Sequence, residues 1–459
     1  MSNLFKRYFE LIPINNINSF SPDNGVDIIN FIIPPVAGAA LPTHELIING
    51  KLEVDVDTDT AYPSASAPRV GVAGTQLVGI DNVCGIEGVV MKVDITSRNG
   101  NVLIEQRQNA SLISKWKKGV LSNEDLRVGK QNNQLVCGNR VLNSTQMLTR
   151  NEPNEGIPFA FKIPAGFFVD NTSMINLNAI GGIEIKIQLQ STAQFLMNVD
   201  NNFGTQLGVN ATYRLKDVKL FGRYQFMTPN ALAGMNGVSF KQIANTMNTI
   251  QSSNETLALA PQVNSLDKIV YIYQPNSDTR NNRATNGVSC NQLVGLDNYR
   301  VSFNGVLLPY DFPIENKTAL GDLPADSSEK DRRPGDAEQC YHFITAMNGN
   351  YPPIHSLANC INVARANADN YGVLTADPAT SKPTNYYGNN VDGIGVSYQY
   401  GFRGYSVPMV SDMTQLQVVS QVKTSNAVVP AAIRDQVQTQ NAFVVFNTEL
   451  NYANLQVTK

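Results

Sequence analysis

The amino-acid sequence predicts an all-β protein built from two consecutive antiparallel sandwiches, with long loop insertions and few short helices. Apolar residues recur with a period of two in short runs that Pro, Gly and Asn separate, which is typical of half-buried strands. A turn-rich stretch without this alternation divides the chain near its middle. The 459 residues suffice for two large β domains, because one all-β sandwich often takes about 200–250 residues.

Alternating runs fill the first half of the chain. In each run we expect the apolar side chains to face a core while Glu, Lys and Gln face outward. The predicted strands are 26–33, 44–57, 159–164, 183–189 and 213–226. One helix is predicted at 104–120, where Leu112, Ile113 and Trp116 share a face, and we expect it to pack against the edge of a sandwich.

The stretch 228–237 carries turn formers, so we place a domain boundary there. The predicted organisation is an N-terminal arm at 1–20, a first sandwich at 21–228 and a second at 229–459. The strands of the second sandwich are predicted at 238–250, 257–260, 269–273, 299–308, 416–422 and 442–446. Two loop-like regions, 58–85 and about 309–394, are long enough to suggest a binding or contact function.

A weak internal echo suggests duplication. Strand 28–33, then Pro34 and a loop, precedes a strand that begins at Glu45. Strand 257–260, then Pro261 and a loop, precedes the strand at Lys268. A chance similarity is the alternative, and it has about equal weight. Any two β-sandwiches contain a strand, a proline turn and a second strand somewhere.

The composition argues against several classes of function. The net charge is −3 and charged residues are only 16% of the chain, so the folded body has no long-range attraction for nucleic acid or anionic membranes. Lys6 and Arg7 precede an apolar stretch too short and interrupted for a signal peptide, so we expect no secretion signal. No apolar run is long enough to span a bilayer.

The cysteines and histidines predict neither a metal site nor a thiol enzyme. The cysteines are Cys84, Cys137, Cys290, Cys340 and Cys360, with no CxxC pair among them. This odd and sparse set indicates buried thiols from a reducing compartment. The histidines are His44, His342 and His355, and none has a second histidine at helical spacing. Cys340 and His342 are close in sequence but lack a third, orienting group.

Other patterns are equally incomplete. Asp55, Asp57 and Asp59 alternate like calcium ligands, but an EF-hand loop needs Gly and Glu where Thr60 and Ser66 stand. The glycine run 71–79 has no following Lys-Ser/Thr. The aromatic segment 395–405 could stack on sugars or bases, although its alternation fits a core or interface strand better. We therefore assign no catalytic, cofactor-binding or metal-binding residue and expect no enzyme.

The first residues form a short basic and aromatic stretch before Pro13. This character suits a membrane surface or a neighbouring subunit, but about nine residues cannot anchor the chain alone. We expect residues 1–13 to form an arm that orders on assembly.

In architecture the chain resembles the double jelly-roll major capsid proteins of tailless icosahedral phages, adenoviruses, virophages and polinton-like viruses. The resemblance covers nearly the whole chain. It rests on the opening strand 26–33, the next strand at 45–57, the central boundary, the closing strand 443–446 and the long insertions. No short motif fixes the family.

This resemblance implies two eight-stranded jelly rolls and a homotrimer that forms a pseudohexameric capsomer of an icosahedral shell in the virion. The long insertion would form an outward tower or a trimer clasp. Neighbouring capsomers and penton, minor capsid or cement proteins are the implied partners. The arm would face the particle interior, where it could contact an internal membrane, and no sequence-specific nucleic-acid binding is implied.

Three alternatives stay open. A carbohydrate-binding or adhesion fibre protein would share the sandwiches and exposed aromatics. A minor vertex (penton) protein with a jelly roll is a closer relative, although one jelly roll rarely needs more than about 250 residues. A glycoside-processing enzyme would need two facing carboxylates, and the candidates Glu53, Asp55 and Glu184 sit in plain alternating strands.

Overall fold

The computed structural model of the chain describes the parts that build two sandwiches. The described residues are 5–55, 78–80, 85–119, 141–142, 157–169, 174–198, 212–252, 254–259, 266–275, 298–303, 305–308, 314–315, 402–406, 418–423 and 438–458. Most of the two predicted insertions, 58–85 and 309–394, lies outside these ranges.

The first sandwich consists of antiparallel strands with short helical turns between them. Its strands are β1 (Lys6–Leu11), β2 (Ser19–Phe20), β3 (Ile28–Ile33), β4 (Ala39–Pro42), β5 (Ile47–Asp55), β6 (Val78–Gly79), β7 (Val90–Ser97), β8 (Leu103–Gln108), β9 (Val141–Leu142), β10 (Ile157–Lys162), β11 (Met174–Ile175), β12 (Ile183–Leu189), β13 (Met197–Asn198) and β14 (Thr212–Phe226). Its helices are α1 (Ala110–Gly119), α2 (Gly166–Val169), α3 (Leu177–Ile180) and α4 (Thr192–Phe195), and 3₁₀ turns lie at Pro22–Asn24, Thr43–Glu45 and Gly85–Val89.

A short helix, α5 (Pro229–Ala233), leads from β14 into the second sandwich. Thr228 begins this helix, because its side-chain oxygen accepts a hydrogen bond from the backbone N–H of Ala231. The strands that follow are β15 (Gly237–Ile250), β16 (Asn254–Leu259), β17 (Leu266–Pro275), β18 (Asn298–Phe303), β19 (Val306–Leu308), β20 (Ile314–Glu315), β21 (Phe402–Ser406), β22 (Val418–Lys423), β23 (Gln438–Asn451) and β24 (Gln456–Thr458).

Both sandwiches have the same strand order. In the first, one sheet contains β1-β14-β5-β10 and the other β3-β12-β7-β8. In the second, the sheets are β15-β23-β17-β21 and β16-β22-β18-β19. If the main strands of each half are counted from first to eighth, both halves read 1-8-3-6 in one sheet and 2-7-4-5 in the other. This two-sheet arrangement is that of the eight-stranded jelly roll, so the predicted fold class is confirmed.

The internal echo in the sequence falls on equivalent elements of the two jelly rolls. Strand β3 and the following β5 are the second and third strands of the first sandwich. Strand β16 and the following β17 are the second and third strands of the second. The segments that carry Pro34 and Pro261 therefore join equivalent strands in the two sandwiches, although 260–265 lies outside the described residues.

Alternation along each strand explains how the core forms. In β12 the side chains of Ile183, Ile185, Ile187 and Leu189 are buried, whereas Glu184, Lys186 and Gln188 lie between them on the other face. Strand β12 pairs with β3 on one side and with β7 on the other, so its apolar face lies at the centre of its sheet. Each fully buried isoleucine or leucine stabilises the fold by about 1.5–3 kcal/mol.

Two expectations differ from the structure. The helix predicted at 104–120 begins at Ala110, because residues 103–108 pair with β7 as strand β8. The arm predicted to order on assembly contains β1, which pairs with β14 along its whole length, from Lys6↔Gln225 to Leu11↔Leu220. The pairing is favourable because Phe9 and Leu11 pack against the core of the first sandwich.

Candidate functional site

Most residues that sequence patterns singled out do not come together. His44 lies in the 3₁₀ turn at Thr43–Glu45, and Asp55 is the last residue of β5. The other two histidines, all five cysteines, Asp57 and Asp59 lie outside the described residues. Of the aromatic segment, 402–405 lies in β21 and the remainder is not described.

Of the carboxylates considered for glycoside chemistry, Glu53 and Asp55 lie on β5 and Glu184 lies on β12 of the other sheet. Glu53 of β5 is 1% exposed and forms ion pairs with Arg214 and, at 2.7 Å, with Lys216 of the neighbouring strand β14. Two cations on one buried carboxylate compensate its lost hydration. Glu53 therefore links two adjacent strands, β5 and β14.

Glu184, on β12 of the opposite sheet, is held in a similar way. Asn30 Nδ2 donates a hydrogen bond to its carboxylate at 2.7 Å, and Lys186 Nζ lies 3.3 Å away. The Asn30 hydrogen bond, aided by Lys186, lowers the pKa of Glu184 below its usual value of 4.5. A general acid would need a raised pKa, so the environment of Glu184 favours a structural carboxylate.

A group of buried polar contacts lies where the two sandwiches meet. We call this region the joint: it comprises β8 and α2 of the first sandwich and the first half of β15 of the second, which are in contact. Its centre is the ion pair between Glu105 and Arg107, whose side chains are both 1% exposed and 3.0 Å apart. The two residues are two positions apart on β8 and so share a face of the strand.

Glu105 also fixes the backbone of α2. Its carboxylate accepts hydrogen bonds from the N–H of Gly166 at 2.9 Å and of Phe167 at 2.7 Å. Arg107 Nη1 donates to the carbonyl oxygen of Pro164 at 3.0 Å. A buried charge is tolerated only when it is paired and hydrogen-bonded, and these contacts meet that requirement.

The segment that Glu105 fixes packs directly on the second sandwich. The rings of Phe167 and Phe240 meet edge to face with centroids 5.1 Å apart, a favourable aromatic geometry. A Cβ on Gly166 would lie 1.7 Å from the carbonyl oxygen of Lys241. Only glycine therefore allows α2 to approach β15 so closely.

The joint also covers a strand edge. Among the described strands β8 is the last of its sheet, so one row of its backbone groups faces no other described strand. The side-chain Nε2 of Gln242 in β15 donates a hydrogen bond to the carbonyl oxygen of Ile104 in that row. A polar side chain of the second sandwich thus provides a hydrogen-bond donor to the strand edge of the first.

Further polar contacts extend the joint on both sides. Asn109, just after β8, donates to Asn441 Oδ1 of β23 at 3.1 Å. The backbone N–H of Asn176 donates to the hydroxyl of Tyr452 at 3.4 Å. Burial raises the pKa of Tyr452 to about 12. The two sandwiches are therefore held together at several points.

The first strand of the first sandwich carries a different surface. β1 is at the edge of its sheet and, among the described residues, pairs only with β14. Large apolar side chains stand exposed on it and on the residues around it: Phe5 69%, Tyr8 75%, Ile12 56% and Ile14 52%. We call this surface the β1 edge. Exposed apolar groups beside an unpaired strand edge are typical of a contact surface.

Within the described ranges, no group of three or more His, Cys, Asp or Glu side chains could hold a metal ion. No helix in the described part of the chain is long and apolar enough to cross a membrane.

The joint is not predicted by the sequence patterns. The signal was present, since Glu105 and Arg107 alternate on a short run that also contains the apolar Ile104. Charged residues at alternate positions usually indicate a solvated strand face, so the pattern did not predict burial. The partners lie at least 57 residues away, and a single sequence does not indicate them.

Comparison with known proteins gives matches of structure only. No protein-family model matches the sequence, and no curated protein matches it. The major capsid protein of Faustovirus matches with a TM-score of 0.53 at 8% identity, over 98% of this chain and 91% of that one.

Two further solved structures are similar over nearly all of this chain. A chain of the Sputnik virophage matches with a TM-score of 0.51 at 10% identity, over 99% of this chain and 88% of that one. A chain of the PBCV-1 virus capsid matches with a TM-score of 0.50 at 10% identity, over 100% and 96%. Together with the repeated strand order, these matches show that the chain has the double jelly-roll fold found in viral major capsid proteins.

Proposed function

We propose that the chain is a viral major capsid protein that trimerises into pseudohexameric capsomers. The observation that carries the proposal is the repeated strand order, 1-8-3-6 and 2-7-4-5, in two jelly rolls on one chain. The same double fold in the Faustovirus major capsid protein, matched over 98% of this chain, supports it.

The joint supports a role as a building block. The aromatic contact of Phe240 and the hydrogen bond from Gln242 hold one sandwich against the other. The buried pair of Glu105 and Arg107 fixes the part of the first sandwich that these residues contact. Interactions of this kind have two discrete states, made or broken, and so resist gradual bending. A shell subunit needs this rigidity because small angular errors would accumulate over many copies.

The duplication explains how a trimer would fill a nearly hexagonal outline. Three chains with two equivalent sandwiches each place six similar units around a threefold axis. Closed rings of this type form when a head-to-tail contact repeats with the correct rotation. Neighbouring capsomers, penton proteins and minor capsid or cement proteins are the partners we propose, and the virion is the proposed location.

A structural role also agrees with the state of the buried carboxylates. Glu53 and Glu105 are bound to cations or backbone N–H groups of their own or adjacent elements. A catalytic carboxylate instead faces a cleft in which a substrate can reach it. We therefore propose no enzymatic activity.

The test is the mass of the purified protein by light scattering, with negative-stain images of the same peak. We expect a particle of three times 50.1 kDa with a pseudohexagonal outline. A stable monomer over a wide concentration range would contradict the proposal. Glycan-array binding by that monomer would favour an adhesion protein, and pentameric rings would favour a vertex protein.

A further inference from the structure

We propose that Asn99, in the turn between β7 and β8, is a site of spontaneous deamidation. The reaction converts Asn99 to aspartate and isoaspartate and places a negative charge against α3. No enzyme takes part, because the only co-reactant is water. The inference is independent of the proposed function, since it concerns one turn of the first sandwich.

The chemistry is that of an asparagine followed by glycine. The backbone nitrogen of the glycine loses its proton to solvent and bonds to the side-chain carbonyl carbon of the asparagine. The bond from that carbon to Nδ2 breaks, and Nδ2 takes up a proton from water and leaves as ammonia. Water then opens the five-membered succinimide at one of its two carbonyl groups, which gives aspartate or isoaspartate. Asparagine is thermolabile, and glycine shields its own nitrogen least because it has no Cβ.

Most of the candidate pairs are fixed by the backbone of neighbouring elements. The Asn-Gly pairs of which both residues are described are Asn24-Gly25, Asn49-Gly50, Asn99-Gly100 and Asn236-Gly237. The N–H of Gly25 donates to the carbonyl oxygen of Pro22 at 3.2 Å. Gly50 lies inside β5, between β10 and β14. The carbonyl oxygen of Asn236 accepts a hydrogen bond from the N–H of Tyr452 at 2.9 Å.

The pair Asn99-Gly100 is exposed and free to rearrange. The N–H of Gly100 has no hydrogen-bond acceptor in the described part of the chain. A Cβ on Gly100 would meet nothing closer than Val102, at 3.7 Å. The hydroxyl of Ser97 lies 2.8 Å from the carbonyl oxygen of Asn99, but it can donate instead to that of Ile180 at 2.9 Å. The nitrogen of Gly100 is therefore open to solvent and can rotate towards the Asn99 side chain at little cost.

The turn around Asn99 holds the C-terminal end of α3. The N–H of Asn99 donates to the carbonyl oxygen of Ile180 at 3.0 Å, and that of Arg98 donates to Gly182 at 3.1 Å. A Cβ on Gly181 would lie only 2.9 Å from the Cβ of Asn99. Carbonyl oxygens at the end of a helix carry partial negative charge, so a carboxylate beside them is unfavourable. Deamidation therefore weakens the attachment of α3 to the turn.

The other end of α3 touches the second sandwich. The side chain of Asn176 begins the helix, because its Oδ1 accepts hydrogen bonds from the N–H groups of Asn178 at 3.2 Å and Ala179 at 3.4 Å. The N–H of Asn176 donates to the hydroxyl of Tyr452 at 3.4 Å. Deamidation of Asn99 thus loosens a helix that extends the joint.

The first experiment follows the four pairs by peptide mapping and mass spectrometry while the purified protein ages at neutral pH in heavy-oxygen water. A hydrogen bond that must break first slows a reaction by up to about tenfold. We therefore expect Asn99 to deamidate about tenfold faster than Asn24 in the folded protein, and at a similar rate in urea. A folded protein in which Asn99 reacts no faster than Asn24 overturns the proposal.

The second experiment measures hydrogen exchange of the peptide 176–182. Asn99→Asp introduces the charge of the product, and Asn24→Asp is the matched control in another Asn-Gly pair. We expect faster exchange at 176–182 in the aged protein and in Asn99→Asp, and wild-type exchange in Asn24→Asp. Wild-type exchange in both Asn99→Asp and the aged protein overturns the link to α3.

Discussion

Replacing Glu105 by Gln should destabilise the protein by about 3–5 kcal/mol, although the side chain keeps its size. The carboxylate accepts hydrogen bonds from two backbone N–H groups, at 2.9 and 2.7 Å, and pairs with Arg107 at 3.0 Å. Glutamine keeps one acceptor oxygen, but it leaves the guanidinium of Arg107 buried without its counter-charge. Removing one partner of a buried ion pair typically costs about 3–5 kcal/mol.

The matched control is Glu255→Gln. The carboxylate of Glu255 also accepts hydrogen bonds from two backbone N–H groups, those of Gln251 at 3.2 Å and Ser252 at 2.9 Å, but at the surface. Water replaces lost contacts there, so we expect a cost below about 1 kcal/mol. The same substitution thus tests burial and ion pairing at one site against surface hydrogen bonding at the other.

The assay is urea unfolding followed by circular dichroism, with all proteins at one concentration because assembly shifts apparent stability. Hydrogen exchange of the peptide that contains Gly166 and Phe167 provides a local readout. We expect faster exchange there in Glu105→Gln and unchanged exchange in Glu255→Gln. Equal shifts of the unfolding midpoint in the two variants would refute the reasoning that the joint depends on a buried charge.

Two other substitutions test the structure. Gly166→Ala should destabilise the protein by about 1–3 kcal/mol or more, because the new Cβ overlaps the carbonyl oxygen of Lys241. The control is Gly234→Ala, whose Cβ would lie 3.4 Å from its nearest neighbour. This control should change stability by less than about 0.5 kcal/mol in the same urea assay. Burial raises the pKa of both Tyr224 and Tyr452 to about 12, so the stability they contribute is complete below pH 10 and is lost as the pH rises towards 12. Tyr452→Phe should therefore lose less stability than the wild type between about pH 9 and about pH 11, measured as the urea midpoint; an unchanged pH dependence would contradict this assignment.

The alternation of apolar and polar residues predicted the position of most strands, because this pattern depends only on residues that are neighbours in sequence. The run 183–189 forms β12 with the predicted bounds, and 213–226 differs from β14 by one residue. Such strands are buried on one face, so their pattern is clear in a single sequence. The fold class followed from counting these runs.

The elements that were missed depend on distant partners. The pattern at 104–120 predicts a helix because Leu112 and Ile113 have helical spacing to Trp116, whereas Glu105 and Arg107 are charged and do not mark a buried face. β1 was interpreted as an arm because its partner strand lies more than 200 residues later in the chain. The joint was missed for the same reason: the residues that contact β8, which are Pro164 to Phe167 and Gln242, lie at least 57 residues later in the chain.

The covered edge of β8 has a consequence for biosynthesis. Gln242, which donates a hydrogen bond to the carbonyl oxygen of Ile104, lies 138 residues after Ile104 in the chain. At about 5–20 residues per second, a ribosome needs roughly 7–30 s to add that length. During this interval the growing chain contains β8 without its cover, and an open strand edge is a template for aggregation. Carrying the second sandwich on the same polypeptide delivers the cover at a high local concentration, so each new chain can protect its own exposed strand before it meets another.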